Sequence, residues 1–147
     1  MNQEIEISTL KERLDEVLIF HYLSEKAYWA KGRSLQTILK TIANSFTFGV
    51  YKQSKQIGFA RVITDYTTFY YLCDVFIIPS EAGNGYGKKL TEYVVNHPLL
   101  AGCRGSLMTG DAHGLYEQFG FRIDPDIGSK YMVRQPDAIN TPSELND

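Results

Sequence analysis

Three glycines at alternate positions, Gly83, Gly85 and Gly87, stand between a long apolar run and a helical one, and no other segment constrains the fold so much. Upstream, residues 69–78 are apolar or aromatic except for Asp74, and Pro79 ends them, which reads as a strand with a hard stop. Downstream, residues 88–96 place Leu90, Tyr93 and Val94 at helical spacing, with Pro98 just past the end. A glycine turn between strand and helix leaves backbone N–H groups free to face an anion, and the positive end of the helix dipole adds to the attraction. Neither common nucleotide motif fits. A P-loop needs GxxxxGK and then Ser or Thr, but Ala82 stands at its first glycine and Lys89 at its hydroxyl. A dinucleotide fingerprint needs a third glycine where Lys88 stands. A tight loop with no ligand is the alternative at this point.

The rest of the chain changes period once. A short strand is expected at residues 4–8, a helix over 14–23, and a second helix over 35–45, where Leu35, Ile38, Leu39, Ile42 and Ala43 recur at helical spacing behind Ser34 as N-cap. Residues 24–34 lose the period and read as a loop. Aromatic and β-branched residues then take over, predicting a hairpin of residues 46–51 and 57–64, a turn at 65–68 and the strand at 69–78. Further strands are expected at 104–109, 121–123 and 130–134, with a short helix at 114–119. Residues 1–134 read as one domain and 135–147 as a frayed tail.

Composition narrows the function. The 15 basic and 17 acidic residues nearly cancel, which argues against nucleic acid held on a basic face. No run approaches a membrane span, and the N-terminus alternates charge where a secretion signal would be apolar, so no membrane partner and a cytoplasmic location are expected. Cys73 and Cys103 lie thirty residues apart, and His21, His97 and His113 show no ligand spacing, so no metal is implied.

The strand, Pro79 and Gly83-x-Gly85-x-Gly87-x-x-Leu90 together resemble the acyl-CoA-binding segment of the GNAT superfamily of N-acyltransferases. Ala112-x-x-Leu115-Tyr116-x-x-x-Gly120-Phe121 is similar to that family's second signature, and the two occur in the family's order. The resemblance covers residues 46–134 and departs from the family at Ala82, usually Arg or Gln, and at Thr109, usually Asn. It implies an α/β (α+β) GNAT fold, a mixed and largely antiparallel sheet with helices on both faces, whose parallel neighbours at 69–78 and 104–109 splay beyond mid-sheet. The implied activity is acetyl-CoA-dependent acetylation of a primary amine on a small molecule or peptide by direct attack. A non-catalytic acyl-CoA sensor of the same fold is the alternative, and whether the protein forms a homodimer is left open.

Under that resemblance, backbone around Val75, Phe76 and Ile77 holds the pantetheine and supplies an oxyanion donor, while Gly83, Asn84, Gly85, Tyr86, Gly87 and Lys88 take the pyrophosphate. Thr109 can hydrogen-bond the pantetheine. Tyr116 matches the general acid, since a phenol is protonated at neutral pH and can donate to a thiolate; the alternative is a core tyrosine. Asp74 in an apolar strand must be paired or face a cleft. It can orient the amine, relay its proton or bond Arg61, and His113 is a second candidate base. Tyr28, Trp29, Lys31 and Arg33 are expected around the acceptor, although Trp29 can equally plug the space between the first two helices.

Overall fold

The computed structural model describes residues 4–27 and 30–136. Five strands form one sheet in sequence order: β1 (Glu6–Ser8), β2 (Phe46–Lys52), β3 (Lys55–Thr64), β4 (Phe69–Ile77) and β5 (Arg104–Leu107). The first four pair antiparallel, and β5 runs parallel to β4. β2 and β3 meet at a two-residue turn whose Gln53 and Ser54 both take left-handed backbone, the geometry that matches the strands' twist. Between β3 and β4 the Asp65 carboxylate accepts from the Thr68 hydroxyl at 2.6 Å and from the amides of Thr68, Thr67 and Phe69 at 2.8, 2.9 and 3.2 Å, and these bonds, the hydroxyl's foremost, hold its pKa far below the usual carboxylate range.

α1 (Glu16–His21) begins at Asp15, whose side chain accepts from the Leu18 amide at 3.0 Å, and continues as a π-helical turn, Tyr22–Lys26. α2 (Leu35–Ala43) begins as expected at Ser34, whose Oγ accepts from the Thr37 amide at 3.1 Å. α3 (Tyr86–Val95), α4 (His113–Glu117) and α5 (Pro125–Gly128) follow. Helices cover both faces. Ile19, Leu23, Ile38 and Ile42 of the first helices close over Phe59 and Phe76, with Tyr22 stacked on Phe76 at 4.0 Å. On the opposite face Tyr86, Leu90 and Val94 of α3 bury Phe48, Val50, Val62 and Leu72. Truncating a fully buried ring such as Phe48 or Phe59 costs about 3–5 kcal/mol.

One irregularity shapes the molecule. Arg61 pairs with Cys73 and Val62 with Leu72, but Phe59 pairs with Phe76 and Gly58 with Ile77, so β4 carries one extra residue opposite Ala60. That bulge falls at Asp74, whose φ is +52°. Leu72 points into the α3 core before it, and Val75 and Ile77 pack on that same core after it. The parallel pairing of β4 with β5 stops at Leu72 and Leu107, so the expected splay is present, and from Cys73 onward β4 has a strand partner on its β3 side only.

The C-terminal strands expected at 121–123 and 130–134 do not form. Residues 121–124 are irregular, Asp124 and Pro125 open α5, and Tyr131, Met132 and Val133 lie exposed with no strand beside them. The loop expected at 24–34 is shortened by the π-helical turn, and α3 starts at Tyr86 rather than Lys88. Most of the expected tail, residues 137–147, lies outside the described residues.

Candidate functional site

The glycine segment packs little around itself. Gly85 caps α3 with φ +78°, no side chain caps the helix, and the first helical bond is donated by Lys89 to the Gly85 carbonyl. The amides of Gly85, Tyr86, Gly87 and Lys88 therefore donate to no acceptor among the described residues. Four such N–H groups at the positive end of a ten-residue helix suit a diphosphate. Among the described residues nothing outside the immediate backbone lies within 4 Å of a Cβ built at Gly83, Gly85 or Gly87, so the loop is uncrowded on those sides. Tyr86 is buried in the α3 core and offers only its backbone, whereas Lys88 is exposed. The Asn84 side chain donates to the Glu81 carbonyl at 3.1 Å and tightens the loop. A bridge of 2.8 Å from Lys52 to Glu81 ties the same loop to the end of β2.

This cradle continues into the unpaired half of β4. Val75 and Ile77 pack toward the α3 core and Phe76 toward α1 and α2, so all three present backbone rather than side chain to the gap left by β5. Tyr116 packs against that same α3-side cluster, edge-on to Phe121 at 6.0 Å between ring centroids. Burial, reinforced by the nearby Asp111 charge, pushes its phenol above the usual tyrosine value, so it stays protonated at neutral pH. Thr109 Oγ1 accepts from the Ala112 amide at 3.0 Å at the start of α4, and its own proton remains available. His113 is exposed on the first turn of α4.

On the opposite face of the sheet the bulge is fastened by charge. Asp74 Oδ2 accepts from Arg61 Nε at 2.8 Å and from Arg33 Nη1 at 3.0 Å, and Arg61 Nη1 donates to Ser45 Oγ at 3.1 Å. Arg33, just before α2, thus reaches the point where β4 leaves β5. Tyr28 and Trp29 lie outside the described residues, and Lys31 is exposed. Cys73, one of the two cysteines that show no partner spacing in the sequence, is a free, half-buried thiol opposite Arg61 in the ladder. Burial pushes the Cys73 thiol up to about 11, with Arg61 opposing. About one molecule in ten thousand then carries the thiolate at pH 7, too few for an efficient nucleophile. Alkylation of Cys73 is accordingly expected to be slow at pH 7 and to rise about tenfold per pH unit up to pH 10. Peptide mapping after incubation with acetyl-CoA should find no acetyl group on it.

No helix among the described residues is long and apolar enough to cross a membrane. The family model for the Acetyltransferase (GNAT) domain matches residues 43–123, from the end of α2 to just before α5. The chain belongs to the GNAT acetyltransferase family. A protein from Xanthomonas campestris pv. campestris assigned to that family superposes with a TM-score of 0.87 at 42% identity, over 92% of this chain and 95% of that one. An assigned acetyltransferase of Gibberella zeae is 28% identical over 94 residues, 52% of each protein. The uncharacterized N-acetyltransferase ycf52 of Gracilaria tenuistipitata var. liui is 31% identical over 121 residues, 78% of this chain and 65% of that protein. The chain thus spans about half to two-thirds of the length of these curated relatives.

Proposed function

We propose that the chain is an acetyl-CoA-dependent N-acetyltransferase acting on a primary amine of a small molecule or peptide. One observation carries the reading: four open amides at the start of α3 lead directly to the half of β4 that lacks a β5 partner. A diphosphate and the extended, amide-bearing arm attached to it would need that sequence of donors. Acetyl-CoA, when bound, supplies an acetyl thioester with a thiolate as leaving group.

The chain's own residues then divide the work. Gly85 to Lys88 donate backbone N–H groups to phosphate oxygens. The β4 backbone around Val75 donates to the carbonyl oxygen in a setting fixed before reaction. Tyr116 holds a proton at Oη throughout the neutral range and donates it to a departing thiolate, while the proton shed by the attacking amine passes to solvent, from which the phenol is restored. Cys73 stays a thiol, which favours direct attack by the amine over a covalent relay. Asp74, engaged by two guanidiniums, serves as a positioning residue for Arg33 rather than as a base. With two cations on one carboxylate, that group favours the neutral amine over the ammonium, so the rate should rise with pH until the amine is deprotonated. Burial shifts any alkaline limb from Tyr116 upward, beyond that of an ordinary tyrosine.

Calorimetric titration with acetyl-CoA and CoA tests the binding half, and thiol release with polyamines, amino acids, amino sugars and peptides tests the chemistry. Absence of binding would remove both halves. Tight binding with no turnover on any amine would leave a sensor. A matched pair of variants isolates the cradle. Gly85 and Gly102 have φ of +78° and +81° with no atom within 4 Å of a built Cβ, so alanine at either carries similar left-handed strain, about 1–2 kcal/mol. Gly102 precedes β5, beyond the far end of α3. Gly85→Ala is expected to weaken CoA binding about tenfold or more, and Gly102→Ala to leave it unchanged at a similar loss of stability.

A further inference from the structure

We infer that the acceptor is an amine carrying an acidic group, carboxylate or phosphate, close to its nitrogen, and that Arg33 recognises that group. The inference rests on the acetyltransferase reading above. Its starting point is the charge around the bulge. Asp74 is 1% exposed and faces two guanidiniums, Arg61 at 10% and Arg33 at 28% exposure, so one positive charge is left over. Among the described residues, the groups packed against the three do not cancel it. Cys73 stays a neutral thiol, and burial raises the Tyr71 phenol, which Tyr131 approaches from the C-terminal segment. Among the described residues, no second carboxylate reaches either arginine.

The hydrogen bonds repeat the pattern. Arg61 is nearly buried, with Nε on Asp74 and Nη1 on Ser45. Arg33 uses Nη1 alone, at 3.0 and 3.2 Å from the two Asp74 oxygens. Its Nη2 and Nε hydrogens meet no acceptor among the described residues. Those two N–H groups form one planar edge of the guanidinium, the shape that takes a carboxylate or phosphate bidentately. A lysine in the same place would tie down Asp74 equally well but would have no such edge.

Placement supplies the last step. Asp74 directly precedes Val75, whose backbone lies on the open half of β4, and Arg33 is fixed to Asp74 from the α1–α2 side. An amine brought to that part of β4 has beside it, on the residue before Val75, the more exposed of the two arginines, with its open donor edge. An acid group on the same small molecule offsets the surplus charge and fills the open edge. α- and β-amino acids and aminoalkyl phosphates have that form.

The test uses the 147-residue chain with acetyl-CoA and matched acceptors: phenylalanine against phenethylamine, and O-phosphoethanolamine against ethanolamine, with rates normalised to unprotonated amine. The first pair reports a carboxylate and the second a phosphate. The expected result is a kcat/KM roughly ten- to a hundredfold higher for the acid-bearing member of at least one pair. Arg33→Gln should bring that ratio near one through KM, and Arg33→Lys should retain part of it, each checked for folding by its melting temperature. Ratios near one in both pairs for the unaltered chain, or a ratio that Arg33→Gln leaves intact, would overturn the inference while the acetyltransferase reading stood. Calorimetry of the CoA-loaded protein with the same four compounds separates the remaining case. Selective binding of an acid-bearing amine without turnover supports the Arg33 site and counts against the transferase reading. No binding and no turnover count against both.

Discussion

Replacing Asp74 by Asn is expected to lower stability by about 3–5 kcal/mol, because the carboxylate is the counter-charge of two arginines and one of these, Arg61, is nearly buried. For a chain of this size that is a fall in melting temperature of about 10 °C or more. Asn is the right substitution. It tolerates the left-handed backbone of the bulge and keeps the side chain's size, so the loss reports charge rather than strain. Adding Arg61→Gln to Asp74→Asn should recover part of the loss, since the uncompensated buried cation is then gone. A single Asp74→Asn variant as stable as the parent would show that water already screens the group.

Tyr116→Phe should separate binding from chemistry. The ring and its edge-on contact with Phe121 remain, while the proton on Oη is lost. Acetyl-CoA should bind as before, and the single-turnover rate should fall by roughly 10²-fold or more, within the usual range for a general acid. Single turnover is the fair comparison, because slow product release would mask part of the loss in steady state. The hydroxyl is a half-buried group whose removal costs stability little, about 1 kcal/mol at most. A variant with the parent's single-turnover rate would assign the proton to water or another group.

Local signals in the sequence were the reliable ones. Ser34 before an apolar stripe becomes the N-cap of α2, and the change to period two becomes the β2–β3 hairpin. The glycine segment, read from three residues, opens α3 with its amides bare. The errors lie where a segment's state depends on a partner. Residues 130–134 have strand chemistry, yet a strand needs a free ladder beside it, and Tyr131, Met132 and Val133 find none. The Asp-Pro pair at 124–125 was a legible helix start that the strand-like residues 121–123 and 130–134 on either side obscured. Asp74 was visible as the misfit in an apolar strand, and its bond to Arg61 was among the readings considered. Its second bond joins residues 41 positions apart, and no periodicity carries that information.

The bulge at Asp74 also has a history within each folding event. Its two anchors enter at different ranges: Arg61 is 13 residues away across one hairpin, and Arg33 is 41 residues away on another layer. Closing the shorter loop costs less entropy, so the hairpin contact has the advantage early and the arginine of the helical layer completes the lock afterwards. Both anchors precede Asp74 in the chain, so a ribosome delivers the carboxylate only after its two cations already exist. The second anchor of the bulge thus closes only when the segment between α1 and α2 lies against β4, which ties the shape of the sheet at this point to the docking of the helical layer.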